Sequence, residues 1–256
     1  MFTFPLVKLV RYVILKNLAK PLRTMNYKET DAVVERYAHR AALIKDDRYS
    51  MLNPAVWQSV QERQRVLLQL LTQFRTKPLA DLQVLEVGCG SGGNLLELLR
   101  MGFSPANLVG NELLPERSAA ARLNLPEATS VFHGDALQLP FEQCSFDIVY
   151  QSTVFTSLLD ANFQQQFANK IWSWVKPGGA VLWYDFTFDN PNNPDVKGVS
   201  LARIRQLFPE GVIHARRVTL APPISRRVCK LHPTLYTLLN FLPFLRTHVL
   251  CWIEKK

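Results

Sequence analysis

The sequence predicts an α/β fold built on a doubly wound, Rossmann-like sheet, and three observations carry that expectation. Residues 84–93, VLEVGCGSGG, are an apolar strand-type run that breaks directly into a glycine loop, and NLLELLR follows with Leu95, Leu98 and Leu99 on one helical face. Further strand-type runs then alternate with helical or turn-forming stretches as far as AVLWYDF at residues 180–186. The chain has 256 residues, 48% of them hydrophobic, which suffices to bury the core of one such domain with extensions.

Taken in order, the first segment is FPLVKLVRYVILKNLAKPLR, where Lys8, Arg11, Lys16, Lys20 and Arg23 interleave with aliphatic residues. That pattern suits an interfacial helix on anionic lipid, and equally an amphipathic helix covering the domain or a partner subunit. From Asp31 to Arg48, residues Val33, Val34, Tyr37, Ala41 and Ile44 form one helical stripe. Pro54 opens a second helix, AVWQSVQERQRVLLQLLTQF, which should end before Lys77 and Pro78. Residues 1–78 are thus expected to form a helical extension or lid ahead of the main domain, 79–256. Tyr49, Arg48 and Asn53 are its candidate contributions to the site, with Trp57 and Tyr49 also readable as packing residues.

The glycines at 88, 90, 92 and 93 let the backbone turn sharply and approach a ligand, and the following helix offers free N–H groups at its start. Two cofactor classes fit such a loop. Gly88, Gly90 and Gly93 satisfy the G-x-G-x-x-G spacing of NAD sites. Against NAD stands Glu86, at the strand end where a pyrophosphate would dock and be repelled. S-adenosylmethionine carries no phosphate, and its amino group and sulfonium are cationic, so an acidic residue there helps.

These residues resemble the class I S-adenosylmethionine-dependent methyltransferases, of the type 11 kind, and the resemblance continues in order. NLVGNELLPERSAAAR matches the second strand, ending at Glu112, whose counterpart in that family holds the ribose hydroxyls; the family more often has Asp there. VFHGDALQLPF matches a third motif, in which Asp135 accepts from the adenine amino group and the Ala136 N–H bonds the ring. SFDIVYQSTVF resembles the fourth strand and the loop under the methionine, and WVKPGGAVLWYDF a helix, a Pro-Gly-Gly turn and the fifth strand. The resemblance assigns the cofactor to Glu86, Gly88, Cys89, Gly90, Gly92, Asn94, Glu112, Leu113, Asp135, Ala136 and Gln151, with Cys89 a small filler and not a nucleophile. It also implies seven strands, the last antiparallel between the fifth and sixth.

After the fifth strand, an Asn- and Pro-rich loop, TFDNPNNPDVKGV, leaves the carboxyl end of a strand bearing Tyr184 and Asp185. Tyr184, Asp185, Asn190 and Asn193 are therefore candidate acceptor-binding groups, the asparagines also fitting a surface connection. Residues 200–208 read as a short helix and VIHARRVTL as a strand. The basic, aromatic and proline-rich stretch 221–245 is a helical insertion ahead of the last strand, THVLCWIEK, and is expected to form a lid or interaction surface.

Methyl transfer to a hydroxyl needs a base beside the methyl group. Asp185, His214 and Tyr49 are the catalytic candidates. His133 lies too near the adenine, and Asp147 begins a strand far from the crevice, where it should support the fold. DRYSMLNP, QSTVF, WYDF with NPNNPDVKGV, and LAPPISRR to FLRTH are similar to bacterial methyltransferases of cell-surface polysaccharide and glycolipid loci, which implies O-methylation of a sugar hydroxyl on a glycan or lipid-linked precursor. The rival reading is C-methylation of a quinone or lipid-like acceptor, suited to the aliphatic N-terminus and the Leu-rich stretch near Leu238.

The formal charge of +9 points to an anionic partner. No appended nucleic-acid module or Asn-Pro-Pro-Tyr motif is present, so nucleic acid is not expected. Cys89, Cys144, Cys229 and Cys251 show no CxxC spacing, so neither zinc nor a disulfide framework is expected, and a reducing cytoplasm is the natural compartment, with a peripheral position at the inner membrane surface if the N-terminal helix meets lipid. Charges interrupt every apolar run short of bilayer length and argue against a cleaved signal peptide.

Overall fold

A computed structural model describes residues 27–43, 49–190 and 193–256. The basic segment with Lys8 to Arg23, and Arg48, lie outside the described residues.

Seven strands form one sheet in the order β3-β2-β1-β4-β5-β7-β6. They are β1 (Val84–Val87), β2 (Leu108–Glu112), β3 (Ser130–His133), β4 (Phe146–Ser152), β5 (Val175–Phe186), β6 (Val212–Leu220) and β7 (Arg246–Glu254). All pairings are parallel except those of β7, which runs antiparallel between β5 and β6 as expected. The chain crosses from one half of the sheet to the other between β1 and β4, and that reversal opens a crevice at the carboxyl ends of the strands.

Eight helices flank the sheet among the described residues: α1 (Tyr27–Leu43), α2 (Pro54–Phe74), α3 (Gly93–Met101), α4 (Pro115–Asn124), α5 (Ala161–Trp174), α6 (Leu201–Leu207), α7 (Pro222–Leu231) and α8 (Thr234–Asn240). Local chemistry sets their starts. Pro54 occupies the first turn of α2, where its missing N–H costs nothing, and the Asn53 side chain accepts from Ala55 N–H (3.0 Å). Asp160 caps α5 by accepting from Phe163 N–H (2.7 Å).

The strand alternation splits the core in two. One face carries Leu85, Val87, Val149, Val181 and Trp183 against α5, with Val33 of α1 at its margin. The other carries Val84, Ile148, Tyr150 and Leu182 against Leu67, Leu70 and Leu71 of α2 and Leu95 and Leu98 of α3. A third, smaller cluster joins α7 and α8 to Ala55 and Leu220.

Two local features refine the sequence reading. Lys176 to Gly179 are not a free turn between helix and strand: α5 passes directly into β5, and the pairing with β4 shifts register between Phe146 and Ile148. A side chain at Gly179 would meet the Asp147 carbonyl at 2.5 Å, so only glycine permits that approach. Asp147 supports the fold, as read. Burial opposes its ionisation, but hydrogen bonds from Lys77 Nζ (2.7 Å), Gln83 N–H (2.9 Å) and Lys176 Nζ (3.0 Å) outweigh burial and lower its pKa.

Candidate active site

The glycine loop joins β1 to α3, and Glu112 holds it. Glu112 Oε2 accepts from Gly90 N–H (2.8 Å) and Oε1 from Leu114 N–H (2.9 Å), so one buried carboxylate ties the loop to the end of β2. Gly88 sits at φ +67°, and a Cβ there would press on Val154 Cγ2 at 2.6 Å, which couples the loop to the segment after β4. Cys89 is buried and packs over Gly110, the filler role expected of it; burial, and then the nearby Glu86 and Glu112, push its thiol pKa upward.

A pocket opens beside this loop at the carboxyl end of β2 and β3. Gly88, Glu112, Leu113, Asp135 and Ala136 line it together, so five of the residues assigned to the cofactor from sequence converge on one cavity. Helix α1 lies across it with Thr30, Val33 and Tyr37, residues for which the sequence indicated only a helical stripe. Thr30 Oγ1 donates to Asp135 Oδ2 (3.4 Å), whose Oδ1 accepts from Leu137 N–H (2.9 Å). The helix is clasped to the segment after β4. Arg36 bonds Glu29 (2.6 Å) and the Ser157 carbonyl (3.1 Å), Arg40 reaches Ser157 Oγ (3.3 Å), and the guanidinium groups of Arg40 and Arg117 each lie over the Tyr37 ring (4.0 and 4.8 Å).

Behind the loop, Glu86 is fully buried on the α2 and α3 face. Asn94 Nδ2 donates to its Oε1 (2.6 Å), while Oε2 has no partner among the described residues. Burial raises its pKa to about 8 against the opposing effects of Asn94 and of the Arg63 charge. Arg63, from α2, pairs with Glu97 (2.9 Å) and lies over the Tyr184 ring. Sequence reasoning missed Arg63, although its spacing from Leu67 and Leu70 places it on the inward stripe of α2.

Several candidates are corrected. Asp185 does not stand at the mouth of the crevice: it is fully buried, Oδ2 accepting from Thr156 N–H (3.2 Å) and Oδ1 from Phe186 N–H (3.2 Å), with burial raising its pKa to about 7. His214 lies on edge strand β6, four strands from β1 and hence roughly 20 Å away, packed on Phe74 (4.3 Å) near Glu254 (3.6 Å). The antiparallel insertion of β7 moves it outward. Tyr49 is 68% exposed in the turn before α2 and does not line the pocket. Gln151 is buried, donating to the Tyr184 carbonyl (3.4 Å) and accepting from Val154 N–H (3.2 Å), so it braces the loop instead of facing a ligand. Asn94 positions Glu86, Asn53 is a helix cap, and Tyr184 directs its hydroxyl to Thr219 (3.0 Å). Asn193 closes its own turn on Asp195 N–H (3.1 Å), and Asn190 is exposed in the same loop. His248, also missed, stacks on Tyr184 (5.2 Å), and burial lowers its pKa to about 4, so it is neutral at physiological pH.

Residues 85–183, which span the glycine loop, both pocket carboxylates and most of β5, match the model of the methyltransferase domain family. This stretch of the chain is a methyltransferase domain. The methyltransferase domain is similar to sterol 24-C-methyltransferase of Aspergillus fumigatus, 34% identical over 131 residues that cover 47% of this chain and 33% of that one. The chain thus spans about a third of the length of the sterol enzymes it matches. The fold is shared with the PH0226 protein of Pyrococcus horikoshii (TM-score 0.58, 16% identity, covering 85% of this chain and 99% of that one). It is shared also with geranyl diphosphate C-methyltransferase of Streptomyces coelicolor, solved with S-adenosyl-L-homocysteine (TM-score 0.54, 13% identity, 75% and 77% covered).

The residues present fit S-adenosylmethionine. The Glu86 oxygen without a partner among the described residues suits a cationic or donor group, and an anionic phosphate would gain nothing from the buried carboxyl. Glu112 and Asp135 retain acceptor capacity towards a diol and an amino group. A pH dependence follows from Glu86. Below about pH 8 the free protein holds it protonated, and a cationic amino group favours its ionised form, so binding releases a proton. Affinity for S-adenosylhomocysteine should therefore fall as pH is lowered from 8 to 6, by at most about tenfold per unit. Titration calorimetry at several pH values would show this, and Glu86→Gln should flatten the profile.

Proposed function

We propose that the protein is an S-adenosylmethionine-dependent methyltransferase that acts at a carbon of an apolar, lipid-like acceptor. The observation that carries the reading is the convergence of Gly88, Glu112, Asp135 and Ala136 on one pocket under α1, with the unpartnered Glu86 oxygen behind the loop. In this reading Glu112 holds the ribose hydroxyls, Asp135 and the Ala136 N–H hold the adenine, and Glu86 receives the amino end of the cofactor. When bound, the cofactor supplies an electrophilic methyl group on a sulfonium. The chain's own task is to orient the two reactants and exclude water, for which α1 and its arginine clasp close one side of the pocket.

Two points support carbon over a sugar hydroxyl. The curated relatives named for a reaction methylate sterols at carbon 24. A hydroxyl also needs a base beside the methyl group, whereas an electron-rich carbon brings its own electron pair. Asp185 is sealed against Thr156, His214 is at the far sheet edge, and Tyr49 lies outside the pocket, so none of the three is placed to serve as that base. The test is incubation with methyl-labelled S-adenosylmethionine and two acceptor sets, one of sterols and prenylated quinone precursors, the other of nucleotide sugars and polysaccharide. Label extracted into the organic phase is expected. Label confined to the water-soluble sugars would overturn the acceptor assignment and restore the hydroxyl reading.

A further inference from the structure

The insertion between β6 and β7 carries an apolar surface that the described residues leave exposed. Leu231 (80% exposed), Leu238 (62%), Phe241 (73%) and Phe244 (72%) stand out from one short piece of chain, with Leu242 beside them. Leu238, Phe241 and Leu242 are spaced three and four positions apart and share a side of the helical turn that ends α8, and Pro243 then breaks the helix. On α7, Ser225 and Cys229 face inward, while Arg227 and Lys230 are exposed beside Arg226. None of these three cations meets a carboxylate among the described residues.

Charge identifies what such a face would accept. Between Gly211 and Ile253 there is no Asp or Glu, whereas Arg216, Arg217, Arg226, Arg227, Lys230 and Arg246 all fall in that span. A second copy of this chain would set cation against cation. The chain's own first 28 residues are no better suited, since they too hold Lys and Arg with no acidic residue. Exposed aromatic and leucine side chains at a tip, flanked by unpaired cations, match a surface that is apolar inside and anionic at its boundary. No helix among the described residues is long and apolar enough to cross a membrane, so the contact is interfacial.

We propose that the α7–α8 insertion docks the protein on an anionic lipid bilayer, with Phe241 and Phe244 entering the interface and Arg227 and Lys230 meeting the headgroups. Both ends of the insertion leave the sheet at its carboxyl edge, since Leu220 pairs with Arg246 there. Docking therefore turns the crevice side of the sheet towards the bilayer. The proposal concerns where the protein sits and holds whichever acceptor is methylated.

The experiment is flotation of the full chain with vesicles of phosphatidylcholine alone or with added phosphatidylglycerol. Binding to the anionic vesicles should be at least about tenfold stronger, and should weaken as salt is raised. Phe241→Ser with Phe244→Ser, and separately Arg227→Glu with Lys230→Glu, should each lower it by about tenfold or more with unchanged S-adenosylhomocysteine binding and unfolding temperature. The charge pair is fully on the surface and serves as the deciding variant should the aromatic pair misfold. Absence of binding to anionic vesicles would overturn the proposal, as would equal binding by both variants, which would place lipid contact elsewhere, for example in the basic first 28 residues. Self-association abolished by the aromatic substitutions would assign the face to a second copy instead.

Discussion

Glu112→Ala should weaken S-adenosylhomocysteine binding by about 2–3 kcal/mol, or roughly 30- to 140-fold. The size of the effect comes from the double duty of one carboxylate. It anchors the glycine loop through Gly90 N–H and the start of α4 through Leu114 N–H, and in the proposed function it also receives the ribose. Truncation leaves two amides to find new partners and loosens the loop at the point where the ligand meets it. Glu112→Asp keeps the charge but shortens the reach, so it should recover a good part of the loss. Calorimetric titration of both variants decides the matter: equal affinity for wild type and Glu112→Ala would remove Glu112 from the site, and a loss in unfolding temperature without a loss in affinity would confine it to loop anchoring.

The largest effect on stability is expected at Glu62. Its carboxylate is buried between α2, β6 and α8, where Oε2 accepts from Thr219 N–H (3.0 Å) and from the Tyr236 hydroxyl (2.7 Å), which itself accepts from Leu220 N–H (3.2 Å). Thr219 takes a left-handed backbone at φ +66°, so the carboxylate also secures a strained residue. Glu62→Ala removes the common acceptor and leaves a buried N–H and O–H unpaired, at a cost of about 3 kcal/mol, which for a chain of this length corresponds to roughly 6–12 °C in unfolding temperature. Tyr236→Phe keeps the Glu62 bond to Thr219 but leaves the Leu220 N–H unpaired, and should cost about 2 kcal/mol. Denaturant or thermal unfolding separates the two. Similar stabilities for Glu62→Ala and wild type would mean that the insertion is held on by its apolar contacts with Ala55 and Leu220 alone.

Much of this architecture was legible in the residues because its signals are local. An apolar run followed by glycines marks β1 and its turn, Pro54 marks the start of α2, and a run of period two marks β6. The carboxylates that reach the pocket, Glu112 and Asp135, were legible for the same reason: each stands at a strand end, and strand ends converge on the crevice. The catalytic candidates failed for a different physical reason. Position along a strand does not tell how deep a side chain is sunk or how far it stands from the cofactor loop. The strand order expected from sequence already put His214 on the edge strand, and four strand spacings carry it away from β1; Asp185 is held inward by the amide of Thr156, a contact between residues far apart in sequence. Glu62 and Arg63 read as polar helix residues, yet both turn inward and find partners in β6, α8 and α3. Only their tertiary partners make such burial tolerable, and those partners have no sequence spacing from which to be read.

The insertion also has a narrow root. Leu220 and Arg246 face each other across the β6 and β7 ladder, and the first residue beyond it, Ala221, donates its amide to the Leu245 carbonyl at 2.9 Å. Everything from α7 to the Phe244 tip joins the sheet through that neck and is fastened to α2 by Ala55 and Glu62, while the glycine loop and its carboxylates belong to the opposite half of the sheet. Chemistry and address are in this way written in separate parts of the chain. A lineage could lengthen, shorten or repaint the pendant segment to change where the enzyme works and what it meets, with the methyl-donor machinery inherited intact.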